Sequence, residues 1–289
     1  MPNGQAPEVG TMFRHPELCL TLQHMADQER AGLARSREAG LERARHAFYR
    51  GDIARELAAF VQAEGGLLDY KDLASFKVEI GEAVGVQYSG VEIFGCGAWC
   101  QGPMLLQTLK IVAALRIDGL AHNSAAYLHL ITETIRLAGR DRECFYGDPN
   151  FVEVPLLRLL SDRHARTLAG RIRPDAAQPA WSATGPTPDD HHRKMLDLDT
   201  SFISVVDRFG NAFAATPSDG CTTSPVIPGL GFVASPRGNQ SWTAPDHPSA
   251  IAPGKRPRLT PNPAIAVRDG EFVMPFGTPG HDTQVQVML

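Results

Sequence analysis

Residues 16 to 63 carry Ala, Leu, Glu and Arg in long stretches with few breakers and close on Gly65-Gly66, which predicts two or three helices ended by a glycine stop. The texture then changes. Val84 to Phe94 is rich in β-branched and aromatic residues around Ser89-Gly90, predicting a strand or short hairpin before a glycine-rich loop, and Met104 to Leu115 returns to helix. Asn123 or Ser124 can cap a further helix whose apolar positions Leu128, Ile131, Ile135 and Ala138 recur at helical spacing, so one face should be buried. From Arg171 to Asp199 Pro, Asp and His crowd a stretch without sustained periodicity, which reads as flexible and exposed. Strand patterns follow. Phe202 to Val206 and Ala212 to Thr216 flank a turn at Asp207 to Asn211, and Ala264 to Val267 and Phe272 to Phe276 flank Asp269-Gly270, whose glycine suits a tight hairpin. No internal repeat is present, which argues against solenoids and propellers. Helices first, then an irregular joint, then sheet is the outline.

Composition narrows the classes of partner. At 289 residues, 43% hydrophobic and 21% charged, the chain is long and apolar enough to bury a substantial core. A net charge of -4 and a pI near 6.2 give no electrostatic reason to expect nucleic acid or an anionic membrane as partner. No window supplies the ~18 apolar residues of a membrane span, and the start MPNGQAPEVG has neither a basic nor an apolar leader segment. The five cysteines, Cys19, Cys96, Cys100, Cys144 and Cys221, are odd in number and scattered, which fits a reducing compartment, with cytoplasm as the default expectation.

Three places could carry chemistry. Gly95-Cys96-Gly97 to Gly102 follows a strand and precedes a helix, with Asp118 farther on, as in a dinucleotide-binding turn; but Cys100 stands where the third glycine belongs, and a structural loop is the preferred reading. Cys96 and Cys100 with the distant His191-His192 match no compact zinc spacing and read as packed thiols, so no metal and no cofactor is expected. Thr200 lies where the irregular stretch meets a strand. If the Asp199-Thr200 bond is cut, Thr200 becomes a chain N-terminus, and its own α-amine, with a reference pKa of about 7.7 to 8.0, can act as general base toward its hydroxyl.

The run Thr200-Ser201-Phe202-Ile203-Ser204-Val205-Val206-Asp207 with Gly210-Asn211-Ala212 resembles the opening of the small subunit of γ-glutamyltransferases, N-terminal-nucleophile hydrolases whose precursors cleave themselves before a threonine. Other blocks agree in order. Gly65-Gly66-Leu67-Leu68 with Asp72-Leu73-Ala74, then Glu133 to Arg142 with Tyr146-Gly147-Asp148-Pro149, resemble the large subunit; Ile251 to Pro257 and Gly277-Thr278-Pro279-Gly280 resemble the small one. The resemblance implies an α+β fold, a four-layer αββα sandwich incomplete at both ends here, with Thr200 opening a central strand. It also implies a division into a mainly helical large-subunit part at 1–172, a flexible pre-cleavage segment at 173–199 and a β-rich part at 200–289.

Carried over by position, Thr200 matches the nucleophile, and Ser218 falls where the family has a threonine hydroxyl supporting the new N-terminus. Gly280 and His281 occupy the glycine pair whose backbone N–H groups bind the oxyanion; a backbone donor does not itself require glycine unless the dihedrals do, and the imidazole is read as supporting rather than catalytic. The pocket departs further. Leu259-Thr260 stand in place of two serines that hold the glutamyl carboxylate, while Gly220 and, across a small gap, Gln240 align with the asparagine and acidic residue that hold the substrate amino group. The implied activity is acyl transfer from a γ-glutamyl or other small acyl amide to water or an amine through an acyl-Thr200 ester, in a large and small subunit pair. A different class of reading stands beside it: a non-catalytic fragment, or a subunit that pairs with a separately encoded part.

Overall fold

The computed structural model describes residues 7–115, 117–179, 200–220, 224–269 and 271–289. Most of the Pro-, Asp- and His-rich stretch, including His191-His192 and Asp199, lies outside them, as do Cys221 and Gly270. The chain forms two compact units, Met1–Glu79 with Cys221–Ser235 and Ile80–Gly220 with Pro236–Leu289.

In the first unit the Ala- and Leu-rich pattern becomes α1 (Pro16–Leu33), α2 (Arg37–Tyr49) and α3 (Asp52–Ala63), followed by a short α4 (Tyr70–Ser75) that the pattern did not announce. Local chemistry sets the boundaries. Pro16 opens α1, the Ser36 hydroxyl accepts from Ala39 N at 3.1 Å to cap α2, and Asp69 with Asp72 makes a reciprocal capping box on α4. Gly65, at φ +82°, makes the stop after α3. One face of α3 buries Ile53, Ala54, Leu57 and Ala58, and Ile227 and Leu230 from the later segment complete that core.

The second unit is built on an antiparallel sheet of order β1-β2-β5-β6, from β1 (Val84–Tyr88), β2 (Val91–Gly95), β5 (Ala264–Arg268) and β6 (Phe272–Phe276). Ser89 and Gly90, at φ 50° and 79°, form the tight turn between β1 and β2. Ile93 pairs with Val86 on one side and Ala266 on the other, so the buried residues share one face. Against that core packs α5 (Gly102–Leu115) with Leu105, Leu106 and Leu109. A Cβ on Gly102 would stand 2.1 Å from Cys96 O, so this glycine is required by close packing of its own loop.

Helix α6 (Ala125–Phe145), capped by Ser124 with its hydroxyl 3.2 Å from Tyr127 N, corrects the apolar face read from periodicity. Its buried residues are Glu133, Thr134, Leu137, Ala138 and Arg142, whereas Leu128 is exposed and Ile131 and Ile135 are half-buried. The reason is ionic. Glu133 accepts from Arg136 at 2.6 Å and from Gln178 N at 3.0 Å, which makes its burial tolerable and ties residues 178 and 179 to the helix. Short α7 (Leu156–Leu159) and α8 (Asp162–Ala169) follow, and α9 (Gln284–Met288) ends the chain. A second sheet has two strands, β3 (Ile203–Val206) and β4 (Ala212–Ala215), with Ile203, Val205, Val206 and Phe213 exposed. Among the described residues no helix is long and apolar enough to cross a membrane.

At the C-terminal end of α6 Arg142 binds Asp282 through both guanidinium nitrogens, at 2.7 and 3.2 Å, and Gln101 Oε1 at 2.8 Å. Glu143 lies 2.8 Å from Arg142 and accepts from Arg258 at 2.9 and 3.1 Å, so two guanidiniums balance two carboxylates. Burial would raise the Glu143 carboxyl, and partial desolvation that of the half-exposed Asp282; for Glu143 the charges of Arg258 and Arg142, and for Asp282 that of Arg142, outweigh it, and both lie below the ordinary range. Folded values below the unfolded ones mean that this stabilisation is complete above the unfolded pKa of about 4 and is lost as pH falls through the folded values. Arg142→Ala should therefore cost about 1.5–3 kcal/mol at neutral pH, the size of a charge-assisted hydrogen bond, because Glu143 keeps Arg258 as its partner. In urea titrations the difference from wild type should narrow below about pH 4; a difference independent of pH would contradict this account.

Candidate active site

Hairpin register brings the first two candidate residues together. Ile203 pairs with Ala215, and Ser201 N continues the ladder to Pro217 O at 3.0 Å, which sets Thr200 opposite Ser218. Their hydroxyls meet, with Thr200 Oγ1 2.8 Å from Ser218 Oγ. Phe202 lies against Gly277, where any Cβ would fall 2.5 Å from the ring, so the strand after Thr200 adjoins the segment leaving β6.

Arg237, which the sequence analysis did not single out, completes this corner. It opens a single 3-10 turn, Arg237–Gln240; its Nε donates to Ser218 O at 3.0 Å and its Nη2 donates to Ser218 Oγ. Asp219 Oδ1 is 3.8 Å from Nε and accepts from Gly220 N at 3.0 Å. Burial lowers the Arg237 pKa somewhat and the Asp219 carboxylate opposes that, yet a guanidinium remains a cation at neutral pH. Gln240, at the far end of the turn, is buried, and its Oε1 has no partner among the described residues.

The second cluster centres on the turn after β6. Gly280 sits at φ +120° and His281 at φ +50°, with Thr283 N closing the turn on Gly280 O at 2.8 Å. The dihedrals at both positions therefore favour glycine, and His281 occupies its place at a cost of about 1–2 kcal/mol. Gln101 Nε2 donates to His281 O at 2.9 Å and to Thr260 O at 2.7 Å, so one buried amide holds both segments. His281 Nε2 and Thr260 Oγ1 are buried without a partner among the described residues. Burial pulls the His281 imidazole below its ordinary value; the adjacent Asp282 opposes this and Arg237 adds to it. Leu259 is fixed through its N–H on Trp99 O at 2.8 Å and brings no hydroxyl.

Thr200 and Ser218 are thus in direct contact, Thr260 and His281 are joined through Gln101, and Gly220 and Gln240 flank the Arg237 corner. Arg142, Asp282 and Gln101, which hold the second cluster, were also missed. The available signal was the pair Arg142-Glu143 at the end of an otherwise core-facing helix and a glutamine inside a glycine-rich loop. Cys100 is buried, and the hydrogen bond its thiol donates to Cys96, together with burial, pushes that thiol well up, which makes it a poor nucleophile. Among the described residues no group of His, Cys, Asp and Glu is arranged to hold a metal ion.

Chemically, the first corner offers a hydroxyl pair under a cation, and the second offers backbone N–H groups on a turn with positive φ. A family model described as gamma-glutamyltranspeptidase matches residues 1–289. The chain is 32% identical over 240 residues to an Acylase ACY 1 proenzyme of Pseudomonas sp. (strain SE83), covering 81% of this chain and 41% of the relative. It is 29% identical over 288 residues to the glutathione hydrolase proenzyme of Pseudomonas aeruginosa, covering 94% of this chain and 48% of the relative. The structure of a cephalosporin acylase from Bacillus halodurans superposes with a TM-score of 0.75 at 26% identity, over 99% of this chain and 48% of that one. The chain thus spans somewhat under half the length of these relatives. With the match extending from the first residue to the last, the chain belongs to the gamma-glutamyltranspeptidase family.

Proposed function

We propose that the complete protein is a self-processing amide hydrolase and acyltransferase in which Thr200 is the nucleophile. The observation that carries this reading is the Thr200 Oγ1 to Ser218 Oγ contact of 2.8 Å at the head of a strand, with Asp199-Thr200 as the bond to be cut. Cleavage frees the Thr200 α-amine, which then takes the hydroxyl proton as Oγ1 attacks an amide carbonyl. The tetrahedral oxyanion is received by the N–H groups of Gly280 and His281, whose positive φ values support a backbone turned toward a ligand. The amide nitrogen leaves with a proton, and water or an amine then takes the acyl group from the Thr200 ester. In this reading the two sheets are parts of an αββα sandwich, and the two cleavage products stay together as a large and small subunit.

The acyl pocket is read as unsuited to an ammonium-bearing donor. Leu259 lacks a hydroxyl, Gln240 carries no charge, and Arg237 places a cation within hydrogen-bonding reach of Ser218. An α-ammonium held there would meet repulsion from Arg237, whose charge Asp219 already faces. A desamino acyl amide, such as a glutaryl amide, avoids that loss.

Two outcomes test these statements. Intact-mass analysis of the purified complete protein should find a C-terminal product beginning Thr-Ser-Phe-Ile, absent in Thr200→Ala and retained in Cys100→Ser; a folded, active protein that stays uncut would overturn the assignment. In parallel assays kcat/KM for glutaryl anilide should exceed that for γ-glutamyl anilide by roughly two powers of ten or more, the size of one or two lost charge-assisted hydrogen bonds. A wide preference for the γ-glutamyl donor would refute the reading of the pocket.

A further inference from the structure

The Arg237 guanidinium binds the same serine whose hydroxyl touches Thr200, through both its main-chain oxygen and its Oγ. An arginine has only donors to offer. At the Arg237 contact Ser218 Oγ is therefore the acceptor, which occupies one of its lone pairs and favours donation of its own proton to Thr200 Oγ1. A hydroxyl that accepts from a cation is also polarised and becomes a stronger donor.

We infer that Arg237 is a positioning residue for the nucleophile: acting through Ser218, it fixes the direction of the Ser218 to Thr200 hydrogen bond so that Thr200 Oγ1 accepts and its own proton is free to leave. This rests on Thr200 being the nucleophile. In the uncut chain the consequence can be followed atom by atom. Thr200 Oγ1 forms a bond to the carbonyl carbon of residue 199, the bond from that carbon to the Thr200 nitrogen breaks, and the hydroxyl proton ends on that nitrogen. Throughout, the Ser218 hydroxyl donates to the oxygen losing its proton and stabilises the charge that builds there. Water then hydrolyses the ester, giving a carboxyl at residue 199 and restoring the Thr200 hydroxyl; the same donor now stabilises Oγ1 as it leaves. Asp219 Oδ1 lies 3.8 Å from Arg237 Nε, the nitrogen that donates to Ser218 O, and offsets the guanidinium charge.

Self-cleavage provides the test, because it is a single turnover that needs no identified substrate. Its rate is followed by intact mass in the complete protein for wild type, Arg237→Met, Arg237→Lys, Ser218→Ala and the Arg237→Met/Ser218→Ala double variant, each checked for a native melting transition. Arg237→Met is expected to slow cleavage about 10- to 100-fold, the size of one charge-assisted hydrogen bond. Arg237→Lys, which keeps a cationic donor, should recover most of that loss. In the Ser218→Ala background the Arg237→Met change should add less than about threefold, since the relay is already broken. Natively folded variants whose effects multiply, or an Arg237→Met protein that cleaves at the wild-type rate, would overturn the inference. Wild type failing to cleave, or Thr200→Ala cleaving normally, would instead refute the assignment of the nucleophile, which keeps the two failures apart.

Discussion

Arg142 is buried between Asp282, Glu143 and Gln101, and the arrangement of the candidate site follows from what that guanidinium requires. A buried cation must be matched by nearby anions and acceptors, and besides its neighbour Glu143 the groups that meet the need come from two distant parts of the chain. Asp282 belongs to the turn that carries Gly280 and His281, Gln101 to the loop before α5, and Arg258 with Glu143 ties in the segment just before Leu259 and Thr260. Gln101 then spends its amide nitrogen on the carbonyls of Thr260 and His281. One charge balance thereby sets the positions of two loops that have no regular structure of their own. Such loops would otherwise carry their polar groups as mobile surface.

The corner formed by Thr200 and Ser218 rests on a different constraint, the register of a two-stranded hairpin. Because Ser201 extends the ladder to Pro217, Thr200 and Ser218 face each other, and a side-chain anchor from outside the hairpin keeps them so. Arg237 adds that anchor by reaching Ser218 from a separate turn. At His281 burial disfavours the imidazolium, Asp282 opposes this and the Arg237 charge adds a smaller contribution to it.

Much of this was legible in the sequence, and the failures have a common cause. The hairpins at 84–95, 203–215 and 264–276 declare themselves through alternation and turn residues, which are local properties. Two blocks read as family landmarks, Tyr146 to Pro149 and Ile251 to Pro257, meet in space, where Asp148 accepts from Arg256 N at 2.9 Å and from its guanidinium at 3.1 Å. What remained hidden was whatever depends on a partner far along the chain. The α6 face was misread because apolar periodicity assumes that charged residues point outward, and Glu133 and Arg142 point inward to partners at 178 and 282. Arg237 was passed over for the same reason: an isolated arginine in a Pro-Arg-Gly turn looks like surface until the serine it binds is seen. At His281 the sequence posed the right question, whether the dihedrals demand glycine, but only the backbone answers it.

The central claim is that Thr200 Oγ1 itself becomes acylated. The most direct measurement is to mix the matured complete protein with a glutaryl anilide, quench in acid within one turnover, digest it and locate the acyl group by tandem mass spectrometry. The account predicts a glutaryl mass on the hydroxyl of the peptide that begins Thr200-Ser201-Phe202. Acylation found instead on Cys100, or on any residue outside that peptide while anilide is being released, would contradict it.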